Sequence, residues 1–131
     1  NINANMNYNR IYDQIISRAK NRRTCDYDYI ERHHIIPRCL GGGDERENIA
    51  ILTAEEHYIC HLLLARIHPD HIGLNLVVCL MARGRYLKRK RGSKAYAERR
   101  KRLYAKNKLL RVCANPTCEA MTPWAMFCSK S

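Results

Sequence analysis

The sequence contains no run of some eighteen apolar residues, about the length a helix needs to cross a bilayer, and so a membrane-spanning helix is not expected. Its first residues lack the basic and then apolar order of a secretory signal, which points to an intracellular, cytoplasmic chain. An even set of cysteines is also missing. There are seven, with no export signal, and Cys60 and Cys79 lie in apolar, helix-like surroundings, so reduced thiols are expected rather than a disulfide framework. Acid is scarce. Lys plus Arg number 24 against 12 Asp plus Glu, a formal net charge of +12, and the surplus is concentrated in one part of the chain. A balance of this kind calls for a polyanionic partner, nucleic acid before any other.

At 131 residues the chain is long enough for one compact domain, or one small domain with appendages, around a modest core. Asn1 to Met6 is polar and patternless up to a methionine that would serve as a natural start, and is expected to be a tag or leader. From Tyr8 the apolar residues Tyr8, Ile11, Tyr12, Ile15, Ile16 and Ala19 recur at helical spacing, with Arg18, Lys20, Arg22 and Arg23 gathered at the end where they complement the helix dipole. This predicts an amphipathic scaffold helix packed against the outside of a hairpin.

Four of the six histidines lie between Glu31 and His61. His33 and His34 sit with Ile35 and Ile36 in a short apolar run, and Pro37 with Gly41, Gly42 and Gly43 then imposes a loop, so the pair is expected to end a strand. Neighbouring strand residues point to opposite faces, so two adjacent histidines are expected to divide their labour. Asn48 to Leu52 reads as the returning strand of that hairpin. Thr53 with Glu56 three residues later forms a capping box, which starts a helix at about Ala54, and Pro69 ends it. On that helix His57 and His61 are spaced i, i+4, which places them on one face roughly 5 to 6 Å apart at Cβ, within reach of one ion.

The order His-His-Ile-Ile-Pro, Gly-Gly, Asn-Ile, Leu-Thr and Glu-His-Tyr-Ile-Cys-His resembles the ββα-metal motif of HNH endonucleases, and in its details the phage homing type. The resemblance implies an α+β fold, mainly helical, with the ββα-metal core at residues 7–82. It also implies a metal-dependent enzyme that hydrolyses phosphodiester bonds of double-stranded DNA in the cytoplasm of a phage host, leaving 5′-phosphate and 3′-hydroxyl ends. Carried over by position, His33, His57 and His61 correspond to the metal ligands, His34 to the general base, Asn48 to the asparagine that braces the loop, and Glu31 to a supporting acid. Family members with Asp at the position of His33, or Asn at that of His57, favour hard ions. The all-imidazole set here suits Zn²⁺, Ni²⁺ or Mn²⁺ better than Mg²⁺. Two other classes share these features: a nucleic-acid-binding module that keeps the metal as a clip without catalysis, and a non-specific toxin-type nuclease of the colicin kind.

Beyond the motif, His68 and His71 flank a break at Pro69 and are expected to face solvent, and Leu74 to Met81 is apolar enough for a short buried helix behind Leu62, Leu63 and Ile67. Residues 83–111 form a basic arm. Arg83, Arg85, Lys88, Arg89, Lys90, Arg91, Lys94, Arg99, Arg100 and Arg102 are candidate DNA-backbone contacts, and Glu98 is the sole acid of that stretch. Ser93 can cap a helix from Lys94 to about Leu110, whose narrow stripe of Tyr96, Leu103, Asn107 and Leu110 predicts weak docking to the core. In residues 112–131, Cys113, Cys118 and Cys128 resemble three ligands of a small zinc ribbon for a structural Zn²⁺. A fourth cysteine would fall one residue past Ser131.

Overall fold

The computed structural model describes residues 6–83 and 92–110. The elements run α1 (Tyr8–Asn21), β1 (Glu31–His34), β2 (Ile49–Leu52), α2 (Ala54–Ile67), α3 (Ile72–Ala82) and α4 (Ser93–Leu110), with short 3-10 turns at Thr24–Asp26, Arg38–Leu40 and Arg46–Asn48. The fold is mostly helical around one small antiparallel sheet, an α+β arrangement. No described helix is long and apolar enough to cross a membrane.

The two strands pair with Glu31 opposite Leu52 and His33 opposite Ala50. Strand alternation then sorts the side chains: Glu31, His33, Ala50 and Leu52 face inward and are buried, while Arg32 is exposed and His34 half-buried. A two-stranded hairpin is not stable in water by itself, and this one is held by the helices that cover its inner face.

Helix α2 is the central element, with α1, α3 and α4 packed around it. Its start is the expected capping box: Thr53 Oγ1 accepts from the Glu56 amide and Glu56 Oε2 accepts from the Thr53 amide. Arg22 then fixes the box to the end of α1, its guanidinium 2.6 Å from Glu56 Oε1. The main core lies between α1, the hairpin and α2 and contains Tyr12, Ile15, Ile16, Ala19, Leu52, Cys60, Leu63, Leu64 and Leu74. The apolar series of α1 is therefore its buried face. Because α2 meets partners on several sides, its apolar residues surround it rather than forming one stripe.

Several sequence expectations change. Helix α1, expected against the outside of the hairpin, packs on its inner face, because its apolar series joins Ala50 and Leu52 in the core and Tyr12 meets buried His33. Helix α3 is present and packs on α2, but only Leu74 is fully buried, and Ile72, Leu76 and Leu80 are exposed along one face. An apolar run alone does not distinguish a helix covered on all sides from one that caps a small core. His71 also has a structural task, since its Nδ1 accepts the Leu74 amide at the N-terminus of α3. In α4 the docking face is Tyr96 and Ala97, both buried in a second cluster with Ala54 and Tyr58, while Leu103 is exposed. The arm helix is thus firmly seated on α2, by Tyr96 of the expected stripe together with Ala97. Gly92, at φ 115°, supplies the left-handed turn just before it.

Among the described residues Cys25, Cys39, Cys60 and Cys79 are free thiols. Buried Cys60 has its pKa pushed up to about 12, chiefly by burial. Residues 1–5, the basic residues Arg85, Lys88, Arg89, Lys90 and Arg91, and the tail cysteines Cys113, Cys118 and Cys128 lie outside the described residues.

Candidate metal centre

The inward face of β1 and the hairpin-facing side of α2 bring three imidazoles together. His33, His57 and His61 each offer one nitrogen to a group in which all three atoms lie within 4.8 Å of one another. The rings meet edge to face or tilted, with centroids 5.3 Å apart for His33 and His57, 5.1 Å for His33 and His61, and 4.8 Å for His57 and His61.

Each ring is oriented by a named partner. The Tyr12 hydroxyl lies 2.7 Å from Nε2 of His33 and donates its own proton to the Ile35 carbonyl, also at 2.7 Å. Its oxygen is therefore the acceptor, His33 carries its proton on Nε2, and Nδ1 keeps a lone pair. That Nδ1 is buried and has no hydrogen-bond partner. On α2, Nδ1 of His57 is 2.6 Å from Glu31 Oε2. An ionised carboxylate only accepts, so the proton sits on Nδ1 and Nε2 turns toward His61, whose own Nε2 is 3.1 Å away. Nδ1 of His61 is a second buried nitrogen without a partner.

Orphaned buried polar atoms are uncommon because each costs roughly 1 to 3 kcal/mol. Here two belong to rings already grouped for a common ion, and an imidazole with one nitrogen bonded to a carboxylate or hydroxyl is the usual form of a ligating histidine. The three side chains fit a divalent ion that accepts nitrogen ligands.

The electrostatics favour the same state. Burial, reinforced by the nearby charges of His57, His61 and His34, holds the pKa of His33 down at about 2. Burial likewise lowers His61 to about 4, with His57 adding to the effect. Both rings thus stay neutral, the form that donates a lone pair. Burial works to raise the pKa of Glu31, but the hydrogen bonds from His57, Tyr29 and Arg100 outweigh it and hold the carboxyl down at about 2.

Proteins of known name resemble this chain. "Probable mobile endonuclease E" of Enterobacteria phage T4 is 53% identical over 64 residues, covering 49% of this chain and 45% of that protein. "Probable mobile endonuclease D" of the same phage is 36% identical over 122 residues, covering 78% of this chain and 46% of that protein. "Probable mobile endonuclease B" is 47% identical over 66 residues, covering 48% of this chain and 25% of that protein. The chain spans less than half the length of each of these curated relatives. No family model and no solved structure matches it.

His34 lies on the other face of β1, opposite Ile49. Its Nε2 is 2.7 Å from Asp44 Oδ1, and Arg38 holds that oxygen from the far side at 2.6 Å. The Arg38 Nε contact to the same ring nitrogen is longer, at 3.4 Å, so the carboxylate decides the tautomer and Nδ1 of His34 carries the lone pair. Asn48 ties the intervening loop together. Its Oδ1 accepts from the Ile36 amide and its Nδ2 donates to the carbonyls of Ile36 and Gly43. Gly42 leaves room for this, because a Cβ there would run into the Ile36 carbonyl and the Asn48 amide.

Of the basic-arm residues, Arg83 and Lys94 are exposed, and Arg102 pairs with Glu98 at 2.5 Å. Arg99 donates to the Met81 carbonyl and lies over the Tyr96 ring. Arg100 turns inward to Glu31. Tyr12, Tyr29, Asp44 and Tyr96 carry no sequence signal that marks them as site residues. Tyr12 and Tyr96 show only as members of apolar helical series, and no local pattern distinguishes Tyr29 or Asp44.

Proposed function

We propose that this chain is the nuclease core of a phage mobile endonuclease of the HNH type, a metal-dependent enzyme that hydrolyses phosphodiester bonds of double-stranded DNA. The observation that carries this reading is the convergence of His33, His57 and His61, two of them with buried, unpartnered nitrogens, beside a strand histidine held by a carboxylate. The names of the phage relatives support the same class of activity.

His33, His57 and His61 would hold the divalent ion, with Mn²⁺, Ni²⁺ and Zn²⁺ better matched to the imidazole set than Mg²⁺. When bound, the ion supplies positive charge that stabilises the phosphorane-like transition state and the leaving 3′-oxygen. Glu31 keeps His57 oriented with Nε2 inward, and Tyr12 keeps His33 oriented with Nδ1 inward. His34 accepts a proton from the attacking water at Nδ1, and the Asp44 carboxylate facing Nε2 stabilises the imidazolium that forms. Asn48 holds the loop that carries this dyad. The exposed cations of the basic arm neutralise phosphate and position the duplex without reading its sequence. The three tail cysteines remain candidates for a structural Zn²⁺.

Supercoiled plasmid incubated with the full chain, with and without Mn²⁺ or Ni²⁺, tests the proposal. Metal-dependent nicking or linearisation that a chelator abolishes is the expected result. Plasmid binding without cleavage under any divalent ion would favour the non-catalytic module instead.

A further inference from the structure

Glu31 is a buried carboxylate, 6% exposed, that receives four hydrogen bonds. Oε1 accepts from the Tyr29 hydroxyl at 2.5 Å and from Arg100 Nε at 2.6 Å. Oε2 accepts from His57 Nδ1 at 2.6 Å and from the Tyr96 hydroxyl at 3.0 Å. Half of this shell comes from α4, an element 65 and 69 positions away in sequence. Tyr96 is buried against Tyr58 of α2, with ring centroids 5.7 Å apart, so α4 and the histidine-bearing helix are packed together at this point.

We propose that α4 completes the metal centre: Tyr96 and Arg100 are positioning residues that hold Glu31 on Nδ1 of His57 and thereby keep Nε2 of that ring turned to the ion. The inference rests on His33, His57 and His61 being the ligands. Its physical basis is the geometry of a buried carboxylate. With all four donors present, each oxygen has two partners and the group has no reason to turn. Without Tyr96 and Arg100, each oxygen keeps one, and the carboxylate gains by rotating toward water, away from His57. The basic arm is then part of the site's architecture, and Arg100, its side chain 46% exposed, directs Nε to Glu31.

The test uses the full chain with Co²⁺ as the probe, in the wild type and in Tyr96→Phe, Arg100→Met, the double variant and Arg100→Lys. Helix content and thermal unfolding are recorded for each. Partners of ligating histidines typically contribute about 10- to 100-fold in metal affinity. The single variants should therefore bind Co²⁺ roughly tenfold more weakly and the double variant more weakly still, with an altered visible Co²⁺ spectrum, while Arg100→Lys recovers part of the loss. A folded double variant with wild-type Co²⁺ affinity and spectrum would overturn the proposal, even if its melting temperature fell, because a purely structural role changes only the latter. Should the double variant not fold, Tyr96→Phe decides alone, since it removes one hydroxyl and keeps the ring, and unchanged Co²⁺ affinity in it overturns the proposal. A wild-type chain that binds no Co²⁺ overturns the ligand reading itself, an outcome distinct from equal binding by wild type and variants.

Discussion

Tyr12 and His33 meet hydroxyl to ring, 2.7 Å apart, and this one contact between α1 and β1 decides which nitrogen of the histidine is free. Tyr12→Phe removes the acceptor and leaves the Nε2 proton buried without a partner, which costs about 1 to 3 kcal/mol. The variant is expected to melt at lower temperature and to bind Zn²⁺ or Co²⁺ about tenfold more weakly, because the ring is no longer held in one tautomer. Calorimetric melting and a metal titration read the two effects separately. Unchanged metal affinity would remove Tyr12 from the site.

His34 stands on the opposite face of β1 from the three converging imidazoles, so its loss should separate chemistry from metal binding. His34→Ala is expected to lower the rate of plasmid cleavage by about 10²- to 10⁴-fold while metal content and DNA affinity stay near wild type. Asp44→Ala, which removes the partner and not the base, should lower the rate by less. A rate for His34→Ala close to wild type would mean that the base lies elsewhere.

Stability of the metal-free chain should fall as the solution is acidified, and the sign is set by three groups. His33 and His61 have folded pKa values near 2 and 4, below the ordinary 6.5, so between those limits the unfolded chain binds more protons and stability is lost as pH falls. Glu31, held near 2 against an ordinary 4.5, adds to the loss below about pH 4.5. Two histidines taking up protons only on unfolding give a slope on the order of 1 to 3 kcal/mol per pH unit from about pH 6 to 4. Urea unfolding across that range measures it. Stability that is flat from pH 6.5 to 4 would contradict the buried, neutral state of these rings.

Saturating Zn²⁺ or Ni²⁺ should raise the melting temperature, since an ion bound only by the folded chain stabilises it by mass action, by about 2.7 kcal/mol at a hundredfold excess over Kd. His57→Ala should abolish the shift at neutral pH. A metal-induced shift of full size in His57→Ala would place the ion away from the three histidines.

Exposed cations and a cation paired with a carboxylate should differ in their effect on DNA. In a His34→Ala background, replacing the exposed Arg83 and Lys94 by Gln should make the plot of log K against log salt shallower, by about 0.9 for each phosphate that is no longer neutralised. Arg102 is tied to Glu98, so Arg102→Gln should change the slope less. Binding measured at several salt concentrations tells them apart. Equal slopes for the double variant and its parent would sink the role assigned to the arm.

Much of the centre is legible in the sequence because it is written in neighbouring residues. The i, i+4 spacing of His57 and His61, the Thr53–Glu56 capping box and the adjacency of His33 and His34 are local patterns, and helix and strand periods turn them directly into faces. The hairpin, α2 and the buried face of α1 come from the same periods. What joins these pieces is not legible there. Tyr12 is one apolar-series residue among six, Arg100 one cation in a basic run, and Tyr96 one aromatic on a stripe that points to Leu103 instead. Their roles depend on which surfaces of α2 are covered by α1 and α4, and hence on contacts between residues 21 to 69 positions apart. The same packing leaves the outer face of apolar α3 exposed and seats the basic α4 on the core. Local sequence determines the period and the ends of an element because those depend on backbone hydrogen bonds within a few residues. Which of its faces is buried, and which buried polar group finds which donor, is settled only when distant elements compete for the same surface.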